Sequence, residues 1–73
     1  MHWAMLQEHL AQAERHVVEG ERVIARQRDV VAQLERDGHD STDAMLLLYQ
    51  FEEIQYLHVD HRDQLRKEHL DVH

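Results

Sequence analysis

The 73-residue chain has no cysteine, no proline and only two glycines, Gly20 and Gly38. Without cysteine there is no disulfide framework and no thiolate metal site. Scarce glycine and absent proline exclude a collagen-like chain and a low-complexity tail. No apolar run approaches the ~20 residues needed to span a bilayer, and no signal-peptide pattern opens the chain. Positive charge is also short: 8 Lys and Arg stand against 15 Asp and Glu, a net charge of −7. That sign argues against nucleic acid and against anionic membrane as partners. Together these absences lead us to expect a cytoplasmic protein that engages neither.

Hydrophobic residues make up 42% of the sequence and charged residues 32%, enough for one small domain over 1–73. A domain of this size buries only about 60% of its unfolded surface and usually needs further support. With disulfides excluded, oligomerisation and metal binding are the remaining sources of that support.

One stretch, Asp37-Gly38-His39-Asp40-Ser41-Thr42, punctuates the chain. Gly38 suits the left-handed position that ends a helix, since it carries no Cβ. Asp40 or Ser41 can cap a following helix, and Asp43 suits its positive N-terminal end. Gly20 has no capping signal beside it and reads as an internal helix residue. The sequence therefore predicts an all-α hairpin: a helix over about 3–37, a turn at 38–40, and a helix over about 41–70. At the standard rise these helices are about 52 and 45 Å long.

Periodicity supports this reading. In the first helix Trp3, Leu6, Leu10, Ala13, Val17, Gly20, Ile24, Gln27, Val31 and Leu34 alternate steps of three and four, the spacing of a coiled-coil seam. For the second helix the same spacing selects Ala44, Leu47, Phe51, Ile54, His58, His61, Leu65, Glu68 and Val72. Folding at residue 39 sets Val31 against Leu47, Ile24 against Ile54, and Ala13 against Leu65. Both seams then face each other in an antiparallel hairpin.

The first helix is apolar beyond its seam. Val23 and Val30 extend it on one side, while Ala4, Ala11, Val18, Ala25 and Ala32 recur every seventh residue on the other. Ala44-Met45-Leu46-Leu47-Leu48-Tyr49 is apolar nearly all round its helix. One partner helix cannot cover so wide a surface, and continuous apolar patches normally mark an interface. We therefore expect a homodimer, two hairpins closing into a four-helix bundle by twofold symmetry. The expected interface residues are Trp3, Leu6, Leu10, Val17, Ile24, Val31, Leu34, Leu47, Phe51, Ile54 and Leu65.

The wording of the chain resembles a group of short, uncharacterised helical-hairpin proteins of soil and plant-associated proteobacteria. The resemblance rests on the run Ala13–Arg22, on Ala25-Arg26-Gln27-Arg28, on Leu34–Asp40 with its Asp-Gly-His-Asp turn, and on Phe51-Glu52-Glu53 and Leu57–Asp63. It covers about residues 10–66 and implies a bacterial origin and a helical hairpin. It implies no activity and makes no histidine a ligand.

Eight histidines are the least ordinary feature of the composition. His58 and His61 fall on the expected seam one turn apart, opposite Gly20 and Val17, where the glycine leaves room for an imidazole. With His16, Glu19, or the same residues of a second chain, they are candidate metal ligands. The simpler assignment makes them bundle residues, because the Glu-x-x-His motif of di-iron bundles and the His-Glu-x-x-His motif of zinc proteases are both absent. No metal and no cofactor is therefore expected. His2, His9 and His16 recur at seven-residue intervals along one edge, with His9 towards His69 and His2 towards His73. Protonating all eight would move the formal charge from −7 to +1, a change that the ordinary imidazole pKa of about 6.5 places near physiological pH.

Charged residues elsewhere read as a solvated face, with Glu19–Arg22, Arg26–Asp29 and Asp63–Lys67 at helical pair spacing. Tyr49 and Tyr56, seven apart, form a strip on the outside of the second helix. Ser41 and Thr42 are accounted for by capping, and no nucleophile or phosphate loop is in view. The expectation is a non-enzymatic interaction module that self-associates. Its alternatives are a His-dependent metal- or haem-binding bundle and a small regulatory subunit docking on a larger protein.

Overall fold

Long uninterrupted runs of Ala, Leu, Glu, Gln and Arg favour helix at nearly every position, and nothing in them breaks it. The computed structural model describes residues 3–71 as two helices, α1 (Trp3–Arg36) and α2 (Thr42–Asp71). They pack antiparallel, with Trp3 against His69 at one end and Val31 against Leu48 near the other. The expectations placed on His2, Val72 and His73 lie outside the described residues.

The turn is built from backbone chemistry. Gly38 has φ of 73°, a conformation that a Cβ would penalise. In that state the His39 amide donates to Leu34 O at 2.9 Å and the Gly38 amide to Glu35 O at 3.2 Å. These are the two bonds of a Schellman ending, which satisfy carbonyls that the finished helix would leave bare. The chain re-enters helix at Thr42. There Asp40 Oδ1 accepts from the Thr42 amide at 2.9 Å and from the Thr42 hydroxyl at 2.6 Å. Asp40, rather than the Ser41 side chain, is thus the residue that satisfies the first free amide.

Those two bonds, the hydroxyl's first and the amide's second, hold the Asp40 carboxyl below its ordinary value of 3.8. A carboxylate with a lowered folded pKa stabilises the fold above the unfolded pKa of about 3.9, and that contribution is lost as pH falls through the folded value. Asp40→Ala should lower the melting temperature at neutral pH, and the gap from the parent protein should close in strong acid. Thermal melts followed by circular dichroism across pH check this; a gap that does not change with pH would contradict it.

All ten expected seam positions of α1 are buried or half-buried. The seam of α2 needs correction. Its buried and half-buried line runs Ala44, Leu48, Phe51, Gln55, His58, Arg62, Leu65 and His69. Alternate members of the expected line hold, but Leu48, Gln55, Arg62 and His69 take the places given to Leu47, Ile54, His61 and Glu68. Leu47 and Ile54 instead stand 40% and 48% exposed on the hairpin. The reason is chemical. Ala44–Tyr49 is apolar on nearly every side and carries no phase, while further along four polar side chains with long or flat apolar bodies, Gln55, His58, Arg62 and His69, occupy the seam.

Register is also staggered. Leu48 packs with both Ile24 and Val31, and Leu65 with both Leu6 and Ala13. A knob settles between two opposing positions rather than facing one: Ala13 meets Leu65 as expected, while Leu48, in place of Leu47, is the α2 residue buried with Val31 and Ile24. The core consists of two apolar clusters. One holds Leu6, Ala13 and Leu65 with Leu10 packed on it; the other holds Ile24, Val31 and Leu48 with Ala44, Met45 and Phe51. Between them, at mid-length, lies a waist where Gly20 meets Gln55 and His16 meets His58.

The hairpin is a rod of 55 × 14 × 13 Å with a radius of gyration of 16.6 Å. A compact chain of this length has a radius of gyration of about 11 Å. Two helices side by side enclose only a thin line of buried residues, and the side chains around it reach water on one flank or the other.

Candidate functional site

The two flanks of the rod differ in chemistry. On one, α1 presents Glu14, Glu21, Arg28 and Glu35, and α2 presents Met45, Glu52, Val59 and Arg66, by heptad position. Arg28 pairs with Glu52 at 3.4 Å and Arg66 with Glu14 at 3.1 Å, each spanning the two helices. Exposed pairs like these contribute at most about 1 kcal/mol each, so they identify a flank finished for water more than they stabilise it. The third ion pair, Arg62 with Asp63, joins neighbours. Glu19–Arg22, Arg26–Asp29 and Asp63–Lys67, expected from spacing, are not among the ion pairs of the described residues; the arginines that pair across helices are Arg28 and Arg66.

The opposite flank carries His9, His16, Val23 and Val30 from α1 and Leu47, Ile54, His61 and Glu68 from α2. Among the described residues no ion pair crosses it. Val30 is 41% exposed, and Leu57 beside this flank is 63% exposed. At mid-length it opens into a groove of about 270 Å³. Val23, Phe51 and Ile54 form its apolar wall, and His16, Glu19, Gly20, Gln55 and His58 complete the lining.

Gly20 makes room for Gln55 at the groove. The Gln55 side chain crosses the seam, and its Nε2 donates to Val17 O at 2.8 Å. A Cβ on Gly20 would collide with Gln55 Oε1 and sit 2.7 Å from Gln55 Cδ. The space opposite the glycine, expected to admit an imidazole, is filled by this amide. Gln27 makes the equivalent bond one cluster away, its Nε2 donating to Ala44 O at 2.9 Å.

Gly20→Ala therefore sets two effects against each other. Helix propensity favours alanine by up to about 1 kcal/mol. Displacing the Gln55 amide forfeits a hydrogen bond worth about 0.5–1.5 kcal/mol. Gly20→Ala should be nearly neutral or destabilising alone, yet stabilising by about 1 kcal/mol where Gln55→Ala has already emptied the space. Denaturant unfolding of the two single variants and the double variant measures the coupling; additive effects would show that the residues do not compete.

His16 and His58 meet across the groove, their ring centres 5.5 Å apart and planes tilted by 36°. His58 Nδ1 is buried without a hydrogen-bond partner, and so is Gln55 Oε1. Of the three candidate histidines the structure thus brings two together. His61 is exposed on the outer part of the flank and does not line the groove. Among the described residues no three His, Asp or Glu side chains converge as a metal site within one hairpin. His69 packs on the Trp3 ring at 4.3 Å between centres, and His9 is exposed. Tyr49 and Tyr56 are exposed on the outside of α2, followed along the same line by Leu70.

Sequence reasoning missed Gln55. Its signal was a polar residue one turn before His58 that a glycine on the facing helix could accommodate. Among the described residues no helix is long and apolar enough to cross a membrane. No protein-family model, curated protein or solved structure matches this chain.

Proposed function

We propose that this protein is a non-enzymatic helical interaction module that self-associates, two hairpins pairing through their apolar flanks as an antiparallel four-helix bundle. The inequality of the flanks carries the reading. One is crossed by two ion pairs, while the other leaves Val30, Leu47, Ile54 and Leu57 in water.

Area sets the scale. The hairpin exposes 5643 Å². A compact monomer of 8.8 kDa exposes about 4,800 Å². The excess is close to the roughly 800 Å² that each partner contributes to a standard interface. Charge opposes the pairing only in part: although each chain carries −7, only four of its fifteen acids, Glu19, Asp43, Glu68 and Asp71, lie on or beside this flank by heptad position. A second copy supplies a surface of matching length and chemistry, which is the property that twofold pairing exploits.

Sedimentation at micromolar concentration should give twice the protomer mass of 8.8 kDa. Helicity should fall on dilution along with the dimer, because assembly and folding are linked by mass action. A compact, fully helical monomer throughout that range would overturn self-association and assign the flank to a larger protein partner.

A further inference from the structure

We propose that the centre of this dimer is a divalent-metal site, suited to zinc, formed by His16 and His58 of both copies. The proposal rests on the self-association argued above. Position is its first support. The midpoint of α1 falls between Glu19 and Gly20, and that of α2 between Tyr56 and Leu57. When two rods pair antiparallel over their full length, the twofold axis passes through the middle of each, and residues there meet their own copies. The groove with His16 and His58 lies at that level.

Geometry is the second support. With Zn–N bonds of about 2.0–2.1 Å, two imidazoles on one tetrahedral ion have ring centres about 5–5.5 Å apart. His16 and His58 stand at 5.5 Å. The third is a nitrogen with no competing bond: His58 Nδ1 has no hydrogen-bond partner among the groups of the hairpin itself. Gln55, whose Oε1 is the other buried atom without a partner, lines the same groove. One hairpin supplies only two imidazoles, and the described residues add no third ligand. A second hairpin brings two more, completing the four nitrogens of a closed tetrahedral site.

The site explains why a seam otherwise built of two apolar clusters has a polar middle. It also accounts for His58 by a ligand role, where the sequence alone favoured a bundle residue.

The test is zinc titration of the untagged protein by calorimetry, with sedimentation run in parallel. One zinc per two chains is expected, with a rise in melting temperature, since the metal binds only the assembled form. Cobalt(II) in place of zinc should give the visible absorption of a tetrahedral nitrogen site. Each of His16→Gln and His58→Gln removes two ligands per dimer and should abolish the zinc effect, whereas His39→Gln, at the turn, should keep it. A dimer indifferent to zinc would overturn the site and leave self-association standing. A zinc effect that survives both groove substitutions would also overturn it. A chain that stays monomeric with and without zinc would overturn the site and the assembly together.

Discussion

Ile24→Asp should leave the chain largely unfolded at room temperature. Ile24 is buried in the cluster with Val31 and Leu48, which holds the turn-proximal half of the rod together. Truncating a buried isoleucine already costs about 2–5 kcal/mol. A carboxylate there adds the penalty of a charge without a partner, several kcal/mol more. Stabilities of about 0.05–0.15 kcal/mol per residue give this chain about 4–11 kcal/mol in total, so one substitution matches the whole reserve. Val31→Asp should behave alike. Far-UV circular dichroism reads the result: loss of most helical signal is expected, and a fully helical Ile24→Asp protein would show that the seam is misplaced.

The second large effect concerns association rather than folding. Leu47→Glu with Ile54→Glu changes two side chains that are 40% and 48% exposed on the hairpin, so the two core clusters are left intact. In the dimer each change occurs twice. Interface anchors contribute about 2 kcal/mol or more apiece, so two copies of even one such anchor weaken the dimer by about 4 kcal/mol, close to a thousandfold in Kd. The double variant should sediment as a monomer where the parent is a dimer. Arg66→Ala on the charged flank removes an exposed pair worth at most about 1 kcal/mol and should leave the mass unchanged. Equal behaviour of the two variants would show that the apolar flank has no special part in assembly.

The contrast between α1 and α2 explains what the sequence made legible. In α1 the seam residues from Leu6 to Leu34 are flanked by Glu, Arg and Gln on most other faces, so a 3.6-residue period has one phase and the buried line follows from it. The Asp-Gly-His-Asp turn was legible for a different reason: left-handed backbone and free amides each have few residue solutions, and Gly38 and Asp40 supply them. In α2 the apolar block Ala44–Tyr49 satisfies any phase, and the true seam continues through Gln55, Arg62 and His69. Hydropathy counts such residues as surface, although their bodies pack while Gln55 finds a carbonyl, Arg62 a carboxylate and His69 a ring. The groove depended on that same phase. Spacing brought His16, His58 and His61 into view as one group, but that His16 meets His58 while His61 stays outside required the phase of α2.

Antiparallel self-association on the apolar flank is the central claim, and intermolecular spin-label distances address it most directly. The absence of cysteine lets one label be placed per chain, through His39→Cys at the turn or Glu19→Cys at mid-length. In the antiparallel dimer the two His39 labels should lie nearly the 55 Å rod length apart, and the two Glu19 labels close together. Neighbouring labels at His39, or no intermolecular distance at either position, would contradict the account.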